Sequence, residues 1–106
     1  MATAFEVLAE SNRRLILDLL REQERPVGEI VDSLAVSQPA VSKHLRVLRQ
    51  AGLVKSRIDA QRRLYRLQPE VLREVDEWLA PYRALWTDSL DRLERHLDEM
   101  DKQGGS

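Results

Sequence analysis

The sequence predicts a mainly α-helical domain carrying one small β-hairpin. Three observations support this. Apolar residues recur at steps of three and four along most of the chain. Helix-opening residues (Thr3, Ser11, Pro26, Ser37, Pro69) stand where those patterns begin. One run, LVKSRIDAQRRLYRL, instead places short apolar segments on either side of a polar turn.

Thr3-Ala4-Phe5-Glu6 has capping-box spacing and opens a short first helix. Ser11-Asn12 caps a second, where Leu15, Ile16, Leu19 and Leu20 predict a buried stripe over 12–22. Pro26 suits the opening of a third helix, because the first turn does not need its missing N–H. Val27, Ile30, Val31 and Leu34 form the apolar face of that helix, and Ala35-Val36 carry the turn after it.

Ser37 caps a fourth helix, 38–51, with Pro39 tolerated in the first turn. At ~100° per residue, Val41, His44, Leu45 and Leu48 share one side of it. Pro39, Ser42, Lys43, Arg46 and Gln50 share the other. Gly52 supplies the left-handed residue that ends it. Segments 53–58 and 63–67 then read as a hairpin around Asp59-Ala60-Gln61-Arg62. Strand alternation puts Tyr65 and Leu67 on one face, Leu64 and Arg66 on the other.

From Pro69 a final helical region carries Val71, Val75, Leu79, Tyr82, Trp86, Leu90, Leu93, Leu97 and Met100 at steps of three or four. Pro81 interrupts it and predicts either two helices, 70–79 and 82–100, or one with a sharp kink. This stripe is longer than a domain of this size needs for its own core, so a second copy of the chain is its natural cover. Residues 102–106 read as a flexible tail. The domain proper is a single unit over 1–101.

Composition narrows the function. At 106 residues, 42% apolar and one-third charged, the chain fits one soluble globular domain. No stretch of about 18 apolar residues is present, and the N-terminal residues lack a signal-peptide pattern, so a cytoplasmic location without membrane partners is expected. The absence of cysteine excludes disulfides, thiolate metal sites and a cysteine nucleophile. No glycine-rich phosphate loop or serine elbow stands in the chain, and enzymatic activity is not expected.

Charge is distributed unevenly. Residues 37–66 hold eight bases against one acid, Asp59, for a net +7, while 1–36 and 67–106 carry −3 and −5. A basic central third implies an acidic partner. Helix 38–51 has the diameter to enter a DNA major groove. Its front offers the amide of Gln38, the hydroxyl of Ser42 and the cations Lys43 and Arg46, while Arg57, Gln61, Arg62 and Arg63 lie at or near the hairpin tip. Phosphate contacts would supply most of the affinity.

The run Ser37-Gln38-Pro39-Ala40-Val41-Ser42-Lys43-His44-Leu45-Arg46-Val47-Leu48 resembles the ArsR/SmtB family of winged helix-turn-helix regulators. So do Ala51-Gly52-Leu53-Val54 and Arg62-Arg63-Leu64-Tyr65-Arg66-Leu67, and the resemblance spans residues 4–68. It implies a helix-turn-helix over 27–51, a β-wing over 53–67, and a homodimer formed through the N- and C-terminal helices (70–100 at the C-terminal end). It also implies repression at a near-palindromic operator. Ser37, Gln38, Pro39, Ser42, Lys43, His44 and Arg46, with Arg57, Gln61, Arg62 and Arg63 on the wing, are then the candidate DNA contacts.

The family's Cys-x-Cys metal box is replaced here by Pro26-Val27-Gly28-Glu29-Ile30. His96-x-x-Glu99 matches only half of a second family metal site, and two ligands rarely suffice. No cofactor or metal is therefore expected. Trp78-Leu79-Ala80-Pro81-Tyr82-Arg83-Ala84-Leu85-Trp86 resembles a metal-independent branch. An activator, a regulator needing an effector or co-regulator, and a winged-helix protein-interaction module stay open as alternatives.

Overall fold

The computed structural model describes residues 3–104. Its elements run α1 (Ala4–Leu8), α2 (Ser11–Glu22), β1 (Arg25–Pro26), α3 (Val27–Ser33), α4 (Gln38–Gln50), β2 (Val54–Asp59), β3 (Arg62–Leu67), a 3₁₀ turn (Pro69–Val71) and α5 (Leu72–Gly104). A boundary between Val75 and Asp76 divides the chain into two compact units.

In the first unit the local signals act as expected at α1 and α4. The Glu6 N–H donates to Thr3 Oγ1 at 3.2 Å, and the Ala40 N–H donates to Ser37 Oγ at 3.3 Å. The end of α4 is a Schellman motif: the Leu53 N–H reaches the Leu48 carbonyl at 2.9 Å and the Gly52 N–H reaches that of Arg49 at 3.0 Å. Gly52 has φ +78, the conformation such an ending needs. Leu48 and Leu53, brought together by the motif, are both fully buried.

The core gathers Val7, Ile16, Leu20, Ile30, Val41, Leu45, Leu48, Leu53 and Val54. Each such aliphatic side chain stabilises the fold by about 1.5–3 kcal/mol through burial. Two arginines of α2 also tie off α1: Arg13 Nε donates to the Val7 carbonyl at 2.8 Å, and Arg14 Nη1 to that of Leu8 at 2.7 Å.

Several expectations need correction. The α2 cap is Glu10, whose carboxylate accepts from the Asn12 N–H at 3.4 Å, so the helix begins before the Ser-Asn pair is used as a cap. Its inward face is Ile16, Leu17 and Leu20, with Leu15 47% exposed. The helix packs on α1, α4 and β3 at once, which turns the buried side toward Leu17. The hairpin belongs to a three-stranded antiparallel sheet of order β1-β3-β2. Arg25 pairs with Tyr65 and Pro26 with Leu64. On this edge strand the missing proline N–H costs no ladder bond. Asp59 pairs with Arg62, so the turn is only Ala60-Gln61, with Ala60 at φ +56.

The two-helix alternative for the C-terminal region is overturned: α5 is one 33-residue helix with Pro81 inside it. An interior proline costs about 3 kcal/mol. Flanks rich in Leu, Ala, Glu and Arg favour helix strongly enough to carry it. The helix also continues past the expected end at 100, to Gly104. The remaining tail residues, 105–106, lie outside the described residues. In the second unit no described side chain is fully buried. Asp76 pairs with Arg83, and the rings of Trp78 and Tyr82 stand 4.9 Å apart at 39°.

Candidate nucleic-acid interface

Helix α4 separates its residues by face. Val41, Leu45 and Leu48 are buried, whereas Gln38, Pro39, Ser42, Lys43, Arg46 and Gln50 are exposed. His44 is half-buried on the flank between the two faces. Ser37 is exposed, but its hydroxyl oxygen already accepts the capping bond. The exposed face therefore keeps two amides, a hydroxyl and two cations on one rigid element, with no acidic side chain among them.

Pairing partners share a face of an antiparallel sheet, so the register divides the wing. Arg63, Tyr65 and Leu67 stand with Ile58, Ser56 and Val54; Arg57, Arg62, Leu64 and Arg66 stand with Lys55 and Asp59 on the other side. Tyr65 and Leu67 pack against the core. The second face is partly neutralised. Arg57 donates through Nε (3.1 Å) and Nη2 to the two carboxylate oxygens of Glu24. Arg62 lies 3.8 Å from Asp59. The hydrogen bond from Arg57 holds the Glu24 carboxyl below the usual carboxylate range and raises the Arg57 guanidinium in turn.

Of the expected wing residues, Gln61 and Arg63 are exposed and have no carboxylate partner among the described residues, whereas Arg57 and Arg62 each stand beside an acid. Arg63 faces α4 instead of standing alone at the tip. With Ser42, Arg46, Arg49 and Tyr65 it lines a cleft of about 200 Å³. Arg49 and Tyr65 were not among the sequence candidates. Arg49 falls between the two sides of the helical wheel, and although strand alternation puts Tyr65 on the face of Arg63, only the structure shows that this face meets α4.

At the other proposed feature, His96 and Glu99 lie exposed on α5. Among the described residues no three His, Cys, Asp or Glu side chains come together in a metal-binding group. No helix among them is long and apolar enough to cross a membrane.

A hairpin wing in a three-stranded sheet, beside a capped helix with an acid-free exposed face, defines a winged helix-turn-helix DNA-binding transcription regulator. The family model described as "Bacterial regulatory protein, arsR family" matches residues 10–56. The chain is 38% identical over 95 residues to the HTH-type transcriptional regulator Rv2034 of Mycobacterium tuberculosis, covering 90% of this chain and 86% of that one. It is 32% identical over 79 residues to the transcriptional repressor SdpR of Bacillus subtilis, covering 74% of this chain and 88% of that one. Among solved structures, a regulator described as "Possible transcriptional regulator for arsenical resistance" superposes with a TM-score of 0.65 at 42% identity, over 83% of this chain and 88% of that one. The chain belongs to the arsR family, whose members are transcriptional regulators and not enzymes.

Proposed function

We propose that this protein is a homodimeric repressor that binds a near-palindromic operator, with the helix-turn-helix at 27–51, the wing at 53–67 and dimerisation through the N- and C-terminal helices. Gln38, Ser42, Lys43 and Arg46 are the contacts placed in the major groove. Ser37, Pro39 and His44 flank them, and Gln61 and Arg63 serve the backbone beside the wing. The observation that carries the reading is the exposed face of α4. It presents base-reading and phosphate-binding groups, with no carboxylate that would repel DNA. Repression is favoured by the likeness to SdpR, which is named as a repressor.

The dimer is supported by α5. Tyr82, Trp86, Leu90, Leu93, Leu97 and Met100 recur along it, each between 43% and 64% exposed. An apolar row of this length, left in water, is the pattern of an interface. Two copies related by a two-fold axis would place their α4 helices in successive major grooves. Independence from metal is supported by Pro26-Val27-Gly28-Glu29-Ile30, which offers no sulfur ligand at the start of α3.

The test is a titration of the protein against its own upstream DNA and a random duplex of equal length, over a range of salt. Preference for the upstream sequence with a steep salt dependence is the expected result. Absence of both overturns the proposal. A reporter fused to the same upstream region separates repression from activation, because deletion of the gene must raise expression.

A further inference from the structure

The cleft between α4 and β3 collects positive charge and no acid. Helical steps of four and three set Ser42, Arg46 and Arg49 along one edge of α4, and the strand period of two sets Arg63 and Tyr65 on the facing side of β3. Leu45 forms its floor and is 1% exposed. None of the three guanidiniums or two hydroxyls around this space is engaged in an ion pair or hydrogen bond among the described residues. Elsewhere on the wing the same fold supplies a carboxylate for two arginines, Glu24 for Arg57 and Asp59 for Arg62. Here it supplies none.

We infer that this cleft is a binding site for a single phosphate oxyanion, filled by one backbone phosphodiester when the protein sits on DNA; this rests on the DNA-binding reading above. Guanidinium forks fit the oxygens of a phosphate two at a time, and hydroxyls can donate to the rest. An anion among Arg46, Arg49 and Arg63 would offset their mutual repulsion. The site joins the recognition helix to the wing, so a single phosphate bound there fixes the depth and tilt of α4 without reading sequence. Arg49, Arg63 and Tyr65 are its three polar residues outside the base-reading face.

Fluorescence anisotropy over a salt series, on operator and random duplexes, tests it with full-length wild type and three variants. Arg49→Gln is expected to weaken both duplexes by the same factor and to make the slope of log K against log salt shallower by about 0.9. Arg49→Lys keeps the charge and restores the slope, while Tyr65→Phe weakens both duplexes with the slope unchanged. Arg49 is exposed and unpaired, so the melting temperature of Arg49→Gln should match wild type. If wild type binds with a steep slope and Arg49→Gln keeps that slope, the cleft assignment falls while the regulator reading stands. If wild type shows no salt-dependent binding, both fall. A parallel thermal-shift arm uses inorganic phosphate without DNA. Should phosphate raise the melting temperature of wild type but not of Arg49→Gln, with slopes unchanged, the occupant is a free anion and the backbone phosphate is overturned.

Discussion

Arg57 on β2 grips both carboxylate oxygens of Glu24, a residue 33 positions earlier that precedes β1. The pair ties the wing to the segment leading into α3, and it gives a carboxylate partner to an arginine that charge counting alone would leave free for DNA.

This clamp has a pH signature. The hydrogen bond from Arg57 puts the folded-state pKa of Glu24 below its unfolded value. Its stabilisation is then complete above the unfolded value, about 4.3, and is lost as pH falls through the folded one. Glu24→Gln should melt below wild type at neutral pH, and the gap should close as the pH is lowered past about 4. A melting series from pH 7 to pH 3 measures this; a gap independent of pH would deny the clamp its ionic character.

The two wing faces should respond differently to substitution. Arg63→Gln is expected to weaken DNA binding severalfold with little change in melting temperature. Arg57→Gln should lower the melting temperature and leave the salt slope nearly intact. Equal losses of DNA affinity in the two variants would contradict the division of the wing.

Gly52→Ala should destabilise by about 1–2 kcal/mol, the cost of a left-handed conformation in a residue with a Cβ. The added atom would also stand 3.2 Å from Val71 Cγ2. Urea denaturation gives the value, and an unchanged midpoint would mean that the Schellman ending is dispensable.

Ala60 sits at φ +56 without glycine's freedom. Ala60→Gly relieves the strain but adds freedom to the unfolded chain, for a net gain of about 0.5–1 kcal/mol. The same urea assay decides the sign.

Leu90 is 64% exposed on α5. Leu90→Glu should shift sedimentation equilibrium toward monomer while far-ultraviolet circular dichroism stays unchanged. Unaltered association would place the dimer contact elsewhere.

The helices around the DNA-facing surface were legible because their signals are local. Ser37 caps within three residues, Gly52 ends α4 within five, and Val41, Leu45 and Leu48 repeat at helical steps. What escaped the sequence depends on distant partners. Two residues of β1 have no periodicity of their own and become a strand only because Tyr65 and Leu64 lie opposite. Leu17 is buried through the packing of α2 against three neighbours, which no helical wheel contains. The sequence shows Pro81 as a break because the cost at one residue is visible and the cooperativity of 33 is not. The partner of Arg57 stands 33 positions away at Glu24, and the place of Arg49 beside β3 depends on how the sheet packs on α4, so neither shows in the sequence.

Pro26 ends β1 and also stands as the capping residue of α3. The innermost strand of the sheet, β3, is therefore bonded to the residues on which α3 begins. The wing cannot behave as a loose flap; its root and the root of the helix preceding α4 are one hinge pin. A rotation of α3 would therefore pull directly on the ladder that β1 shares with β3.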